Sequence, residues 1–162
     1  MLKVNDMDGM ITGEACLRMT RELSFFQFLS DQELASVAHY FQCRHVPAGT
    51  VLWKQDDPCD YMVFILDGRM LIKVGTEFEG KDVVVGVLGS GSLSGERGML
   101  DGTPRYSTAE ALEDLDLIMI DRVSFNRILD EHGELAIKLM KGMLLSVSTR
   151  LKNALDRLAS VF

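Results

Sequence analysis

Glycine is crowded into one part of this chain. Nine of its 14 glycines fall between Gly68 and Gly102, and only Gly133 and Gly142 follow. Glycine is costly inside helices and strands but suits backbone conformations that other residues avoid. The crowding therefore marks a turn-rich middle between two helical ends. From Val46 to about Ile120 short apolar runs alternate with turn signals. Val51–Trp53, Met62–Leu66, Met70–Val74, Val83–Leu88 and Leu115–Ile120 each suit a short strand. Pro47-Ala48-Gly49, Asp56-Asp57-Pro58, Asp67-Gly68 and Gly89-Ser90-Gly91 separate them. Asp67-Gly68, between two apolar runs, predicts a hairpin with a type I′ turn. Strands at this spacing predict a sandwich, jelly roll or small barrel.

The flanks read differently. Ser30-Asp31-Gln32-Glu33 has the pattern of a capping box, and Leu34, Val37, Ala38 and Phe41 follow as an amphipathic stripe. Upstream, Leu23, Phe25, Phe26, Phe28 and Leu29 form an apolar cluster suited to plugging the core. Arg122–Asp130 reads as a short helix, and Glu134 to about Val161 as one long helix after Gly133. Along it Met140, Leu144, Val147, Leu151, Ala154, Leu158 and Val161 alternate spacings of four and three, the seam of a helix that pairs with another. A helix of that length outruns a small barrel, which favours a homodimer over packing on the chain's own barrel. The expected organisation is an N-terminal, partly helical segment (1–22), a roll with flanking helices (23–133) and a long C-terminal helix (134–162).

Charge and cysteine content narrow the class. A net charge of −7 opposes general nucleic-acid binding. No apolar run approaches the ~18 residues of a membrane span, and the first residues lack the pattern of a secretory signal. The three cysteines, Cys16, Cys43 and Cys59, contain no CxxC pair and are odd in number. That spacing argues against a disulfide framework and makes a reducing cytoplasm the expected location.

Gly91–Leu112 (GSLSGERGMLDGTPRYSTAEAL) carries the chemistry. Backbone N–H groups freed near Gly95 and Gly98 form a concave anion site at the start of a helical turn. Arg105 offers a planar, permanently charged fork for two phosphate oxygens, and Ser107 and Thr108 offer hydroxyls. A carboxylate such as Glu96 accepts well from a sugar hydroxyl. Together these describe a sugar-phosphate site. On pattern alone, a plain Glu96–Arg105 salt bridge beside a surface loop explains the same residues.

This segment resembles the phosphate-binding cassette of cyclic-nucleotide-binding domains, the family of the bacterial cAMP receptor protein and the regulatory subunit of protein kinase A. The cassette's F-G-E-L-A/G-L and later R-S/A-A/T correspond to Ser94-Gly95-Glu96-Arg97-Gly98-Met99 and Pro104-Arg105-Tyr106-Ser107-Thr108-Ala109. The step from Glu96 to Arg105 agrees with the kinase-type cassette, and the resemblance extends over about residues 23–160. It implies an α+β, mainly β, jelly-roll-like β-roll with N-terminal helices and a long C-terminal helix. It also implies that Arg105 pairs with a cyclic phosphate, that Glu96 takes the ribose 2′-hydroxyl, and that Gly95, Arg97, Gly98, Tyr106 and Ser107 complete the cradle through backbone N–H groups. Asn153 on the long helix is the implied contact to the base, with Ser148 and Thr149 as neighbours. The implied ligand is cAMP, with cGMP as the other choice, and no cofactor.

Three positions depart from the family pattern. Arg97 replaces an apolar residue, so it either points outward or adds charge near the phosphate. Tyr106 stands where a small residue is usual and either crowds or stacks on the base. Asp56 replaces a turn glycine, a substitution Asp can make in the left-handed region.

The leading expectation is a non-enzymatic cyclic-nucleotide sensor that moves its C-terminal helix. The alternative is a ligand-free dimerisation or adaptor module of the same fold. A cupin-like metalloenzyme would need clustered ligands, whereas His39, His45 and His132 are scattered and expected outside the strands. No GxSxG, P-loop or HExxH occurs, and the Cys and His spacing supports no haem or iron–sulfur site. Direct DNA binding is not expected: residues 134–162 hold five Lys and Arg against Glu134 and Asp156, and no helix-turn-helix follows. Length thus points to an effector protein on another chain.

Overall fold

All five short apolar runs become strands, and the turn signals set their ends. The computed structural model describes residues 23–77 and 80–160. The strands are β1 (Gln42–Val46), β2 (Val51–Trp53), β3 (Tyr61–Asp67), β4 (Met70–Gly75), β5 (Asp82–Leu88), β6 (Leu93–Ser94), β7 (Thr108–Ala111) and β8 (Leu115–Asp121). They form two antiparallel four-stranded sheets, ordered β1-β8-β3-β6 and β2-β7-β4-β5. This is the expected β-roll. Among the described residues four α-helices flank or interrupt it: α1 (Asp31–Val37), α2 (Glu96–Asp101), α3 (Arg122–Glu131) and α4 (Gly133–Ala159).

Both faces of the first sheet are covered, which explains why β3 and β8 read as continuous apolar runs. Successive side chains of a strand point to opposite faces. Val63 and Ile65 of β3 accordingly join Leu117 and Met119 of β8 between the two sheets. Phe64 joins Ile118 and Ile120 on the other face, under Phe25, Phe26, Phe125, Leu139 and Met143. The capping box forms as predicted, with the Glu33 N–H donating to Ser30 Oγ at 3.2 Å and the Ser30 N–H to Glu33 Oε2 at 2.8 Å. Lys138 of α4 donates to the other Glu33 oxygen at 2.5 Å, so the same carboxylate also ties α1 to the long helix.

Several expectations are corrected. Asp67-Gly68 does not close a hairpin. β3 pairs with β6 and β8, and β4 with β5 and β7, so this corner carries the chain from one sheet to the other. Only Gly68 has positive φ there (87°), so the turn is not type I′. Phe28 is exposed and contributes nothing to the aromatic plug. The helix after Ser30 ends at Val37 and continues as a 3-10 turn over Ala38–Tyr40. His45 lies within β1, where its Nδ1 is 2.8 Å from Asp116 Oδ1 of β8. Cys43 is disulfide-bonded, while Cys59 is a buried free thiol. Pairing depends on how closely the fold brings two Cα atoms, which sequence spacing does not reveal. The cysteine argument for a cytoplasmic location loses its force accordingly. The N-terminal segment, 1–22, lies outside the described residues.

Two predictions follow from these contacts. A Cβ on Gly68 would lie 2.3 Å from the Asp114 carbonyl oxygen, on a backbone already in the left-handed region. Gly68→Ala should cost at least ~1–3 kcal/mol, the usual scale of local backbone strain, read as a lower urea midpoint. The Asp116 hydrogen bond raises the His45 pKa above its ordinary 6.5. A raised folded-state value stabilises the protein below the unfolded pKa, and the gain is lost as pH rises through the folded value. His45→Gln should therefore destabilise the fold below about pH 6.5 and match wild type at high pH. Parallel denaturation curves at every pH would contradict this.

Candidate functional site

The 91–112 segment is held at the end of the roll by its backbone. After β6, Gly95 takes a left-handed conformation (φ 92°) and begins α2, which ends at Gly102 (φ 75°). A Cβ on Gly95 would lie 2.4 Å from Arg105 Nη1, so glycine lets the guanidinium lie against the main chain. A Cβ on Gly98 would meet the Cys59 Cβ and the Thr103 carbonyl, each at 2.5 Å. Both glycines are thus required by close approach.

Arg105 sits at the centre and is 4% exposed. Its guanidinium carbon stands 4.1 Å from the Trp53 ring centroid and 4.6 Å from that of Tyr61. Its Nη2 donates to the Tyr61 carbonyl at 2.7 Å. Nε and Nη1 are buried and have no acceptor among the described residues. Burial pushes the Arg105 pKa down, while Cys59, Tyr61, Asp60 and Asp57 offset part of the shift; a guanidinium stays charged regardless. Burial likewise pushes the Tyr61 phenol up to about 12, keeping it protonated as a donor to the Leu52 carbonyl at 2.7 Å. The Cys59 thiol is pushed up by burial, against the pull of Arg105 and Arg122, and it donates to the Gly95 carbonyl at 3.3 Å.

Asp56 has the positive φ (69°) that its place in the turn suggested. Its role extends beyond the turn. The Asp56 N–H donates to the Arg105 carbonyl at 2.8 Å and the Arg105 N–H to the Asp57 carbonyl at 2.9 Å, so this turn holds the Arg105 backbone.

The plain Glu96–Arg105 salt bridge is not what forms. Glu96 pairs with Arg150 of α4, whose Nη1 also donates to the Leu93 carbonyl at 2.8 Å. Arg97 is exposed and lies 3.3 Å from Asp101, one helical turn on, so it points outward. Tyr106 is 49% exposed at the rim, and Ser107 is buried. Gly95, Arg97, Gly98, Arg105, Tyr106 and Ser107 line one cavity with Trp53, Cys59, Ser94 and Pro104. Asn153 is not among them. It lines a separate cleft of about 300 Å³ between α4 and the β5–β6 region, beside Arg150 and Arg157.

Sequence reasoning missed the residues that build this site from outside the motif. Trp53 and Tyr61 stack on Arg105, and Arg150 reaches Glu96 from the last helix. Arg122, at the start of α3, donates to the carbonyls of Cys59 and Gly98 and so clamps α2 to the roll. The lone Trp beside a turn was the one available signal, since the others meet Arg105 and Glu96 only through the fold. Among the described residues no group of His, Cys, Asp or Glu is placed to hold a metal, and no helix is long and apolar enough to cross a membrane.

Known proteins are similar to this chain in sequence and fold. The family model of the cyclic nucleotide-binding domain matches residues 43–132. A cyclic nucleotide-gated potassium channel of Mesorhizobium japonicum is 25% identical over 119 residues, covering 74% of this chain and 31% of the channel. A lysophospholipase of Aspergillus oryzae is 34% identical over 97 residues, 59% of this chain and 6% of that protein. The chain thus spans less than a third of the length of these curated relatives. Among solved structures, a cyclic nucleotide-binding domain from Methylobacillus flagellatus superposes with a TM-score of 0.77 at 24% identity, covering 93% of this chain and 84% of that one. The regulatory domain of Toxoplasma gondii PKA, solved with cAMP, gives 0.60 at 27% identity, covering 72% and 44%. The two-sheet roll, the Gly95–Ser107 segment within it and the match over 43–132 lead to one conclusion: this chain belongs to the cyclic nucleotide-binding domain family.

Proposed function

We propose that this chain is a non-enzymatic sensor that binds cAMP, or alternatively cGMP, and signals by moving its C-terminal helix. The observation that carries the proposal is the buried Arg105 fork, with two nitrogens, Nε and Nη1, that have no acceptor among the described residues. A buried donor without an acceptor costs about 1–3 kcal/mol, and a phosphate oxygen pair answers that demand with charge-assisted bonds. Glu96 would then take the ribose hydroxyl, and the backbone N–H groups of Gly95, Arg97, Gly98, Tyr106 and Ser107 would complete the anion cradle. Tyr106 stands exposed at the entrance, and Ser107 lies buried behind it. Asn153 is proposed as a base contact only once α4 has moved, because it now faces a different cleft.

The expected results are a thermal upshift on adding millimolar cAMP, as for any ligand that binds only the folded state, and its loss in Arg105→Ala. Calorimetry should place that loss at about 1.5–3 kcal/mol or more, the scale of a hydrogen bond to a charged group. Unchanged affinity in the variant would remove Arg105 from the site. The ligand-free adaptor has one observation in its favour: the cavity beside Arg105 measures about 10 Å³, room for one water. No shift with cAMP, cGMP or cyclic dinucleotides would favour it.

Homodimerisation through α4 belongs to the same proposal. Leu144, Leu151, Leu155 and Leu158 are all exposed, and from residue 151 to 160 every residue is exposed. Leu144, Leu151 and Leu158 belong to the predicted seam and are left uncovered by the chain's own roll, whereas Met140 of the same seam packs partly against the core and Val147 is half-buried; Val161 lies outside the described residues. Leu151→Glu with Leu158→Glu should turn a dimer into a monomer in sedimentation velocity while leaving the fold intact. A wild-type monomer at tens of micromolar would refute the pairing. The dimer's output would be an effector protein, with no direct contact to DNA or membrane.

A further inference from the structure

Helix α4 has two unlike halves. Up to Met143 it is packed down: Ala136, Leu139, Gly142 and Met143 are buried, and a Cβ on Gly142 would lie 2.0 Å from the Phe25 carbonyl oxygen. Beyond it the helix stands off the roll over the cleft of about 300 Å³ lined by Ser90, Ser92, Thr149, Asn153 and Arg157. Arg150 spans that gap. One nitrogen holds the Leu93 carbonyl of β6 and another holds the Glu96 carboxylate at the start of α2. The Glu96 side chain is 15% exposed, and Arg150 holds one of its two carboxylate oxygens. The cavity at Arg105 has only about 10 Å³ of room, far below the ~300 Å³ or more typical of ligand pockets.

From this we infer that Arg150 and the ligand's sugar hydroxyl compete for Glu96. The inference rests on the cyclic-nucleotide reading above and assigns Arg150 as the residue that sets affinity and sugar selectivity. In the closed form Arg150 occupies the carboxylate and pins the distal arm of α4. A ribose hydroxyl arriving at Glu96 displaces the guanidinium from the carboxylate, and the arm loses its tie to α2, with the Leu93 carbonyl bond left to hold it to β6. A ligand shifts this equilibrium only through its different affinity for the two states. The tie and the sugar contact on one carboxylate supply that difference. A cyclic nucleotide lacking the 2′-hydroxyl has nothing to offer Glu96 and leaves the tie in place.

The test uses calorimetry with cAMP and 2′-deoxy-cAMP on wild type and Arg150→Ala, together with hydrogen exchange over residues 148–158. Removing the competitor should tighten cAMP binding about tenfold, the factor for one charge-assisted hydrogen bond, and widen the preference for cAMP over its 2′-deoxy analogue. Amides of 148–158 should exchange faster in wild type on adding cAMP, and faster in Arg150→Ala without ligand. Glu96→Gln cuts the tie from the other side and should loosen the arm equally in the ligand-free protein. Weaker binding of both nucleotides by Arg150→Ala would make Arg150 a ligand contact and overturn the competition. Slower exchange of the arm on adding cAMP, or an unchanged arm in Glu96→Gln, would overturn it as well. If neither protein binds a cyclic nucleotide, the sensor reading itself falls; binding by Arg150→Ala alone would support the competition most directly.

Discussion

A guanidinium buried between two aromatic rings governs the rest of this site. Placing Arg105 there requires a flat aromatic surface on each side, a carbonyl for one nitrogen and a residue without a side chain where the fork meets the main chain. Trp53, the Tyr61 ring, the Tyr61 carbonyl and Gly95 meet those requirements in turn. The Asp56–Asp57 turn fixes the Arg105 backbone from below. Stacking on two rings is worth about 0.5–2 kcal/mol per contact, comparable with the cost of two donors lacking an acceptor. The balance keeps the arginine folded in with Nε and Nη1 still open to an acceptor. The acidity of the whole chain does not oppose this, because charges beyond ~8–10 Å are screened whereas contact donors are not.

Arg122 and Arg150 give the site two mechanical connections of different kinds. Arg122 joins α2 to the loop before β3 through carbonyls alone, a link that no titration or ligand hydroxyl replaces. Arg150 joins α2 to the last helix partly through a carboxylate, which has other uses. On the proposed reading, a fixed clamp on one side and an exchangeable tie on the other leave the helix arm free to respond. The same arm carries the uncovered leucines, and β5, with Val83, Val84, Val85 and Val87 exposed on its edge, offers further apolar surface.

Much of the roll was legible because its central strands are apolar on both faces and its corners need glycine. β2, β3, β4, β5 and β8 were all visible in this way. β1, β6 and β7 were not. β1 (QCRHV) and β7 (TAEA) carry few large apolar residues, and β6 has two residues, so their strand state comes from pairing partners rather than propensity. Asp67-Gly68 had the composition of a hairpin, and only the sheet assignment of the flanking strands distinguishes a corner from a hairpin. In the site, Gly95, Glu96, Gly98 and Arg105 were legible because a local motif holds them. The identity of Glu96's partner was not, since 54 positions separate it from Arg150.

The pairing of β1 has a consequence for how the molecule is made. β1 has a single sheet neighbour, β8, and His45 meets Asp116 across 71 positions of chain. On a ribosome adding 5–20 residues per second, the first strand of the roll waits roughly 4–14 s for its partner to appear. During that interval Cys43 and Val46 lack the sheet that buries them, and β3 lacks its main neighbour. The roll therefore closes late and from its far end, with the strand leading into α3 and α4 acting as the seal.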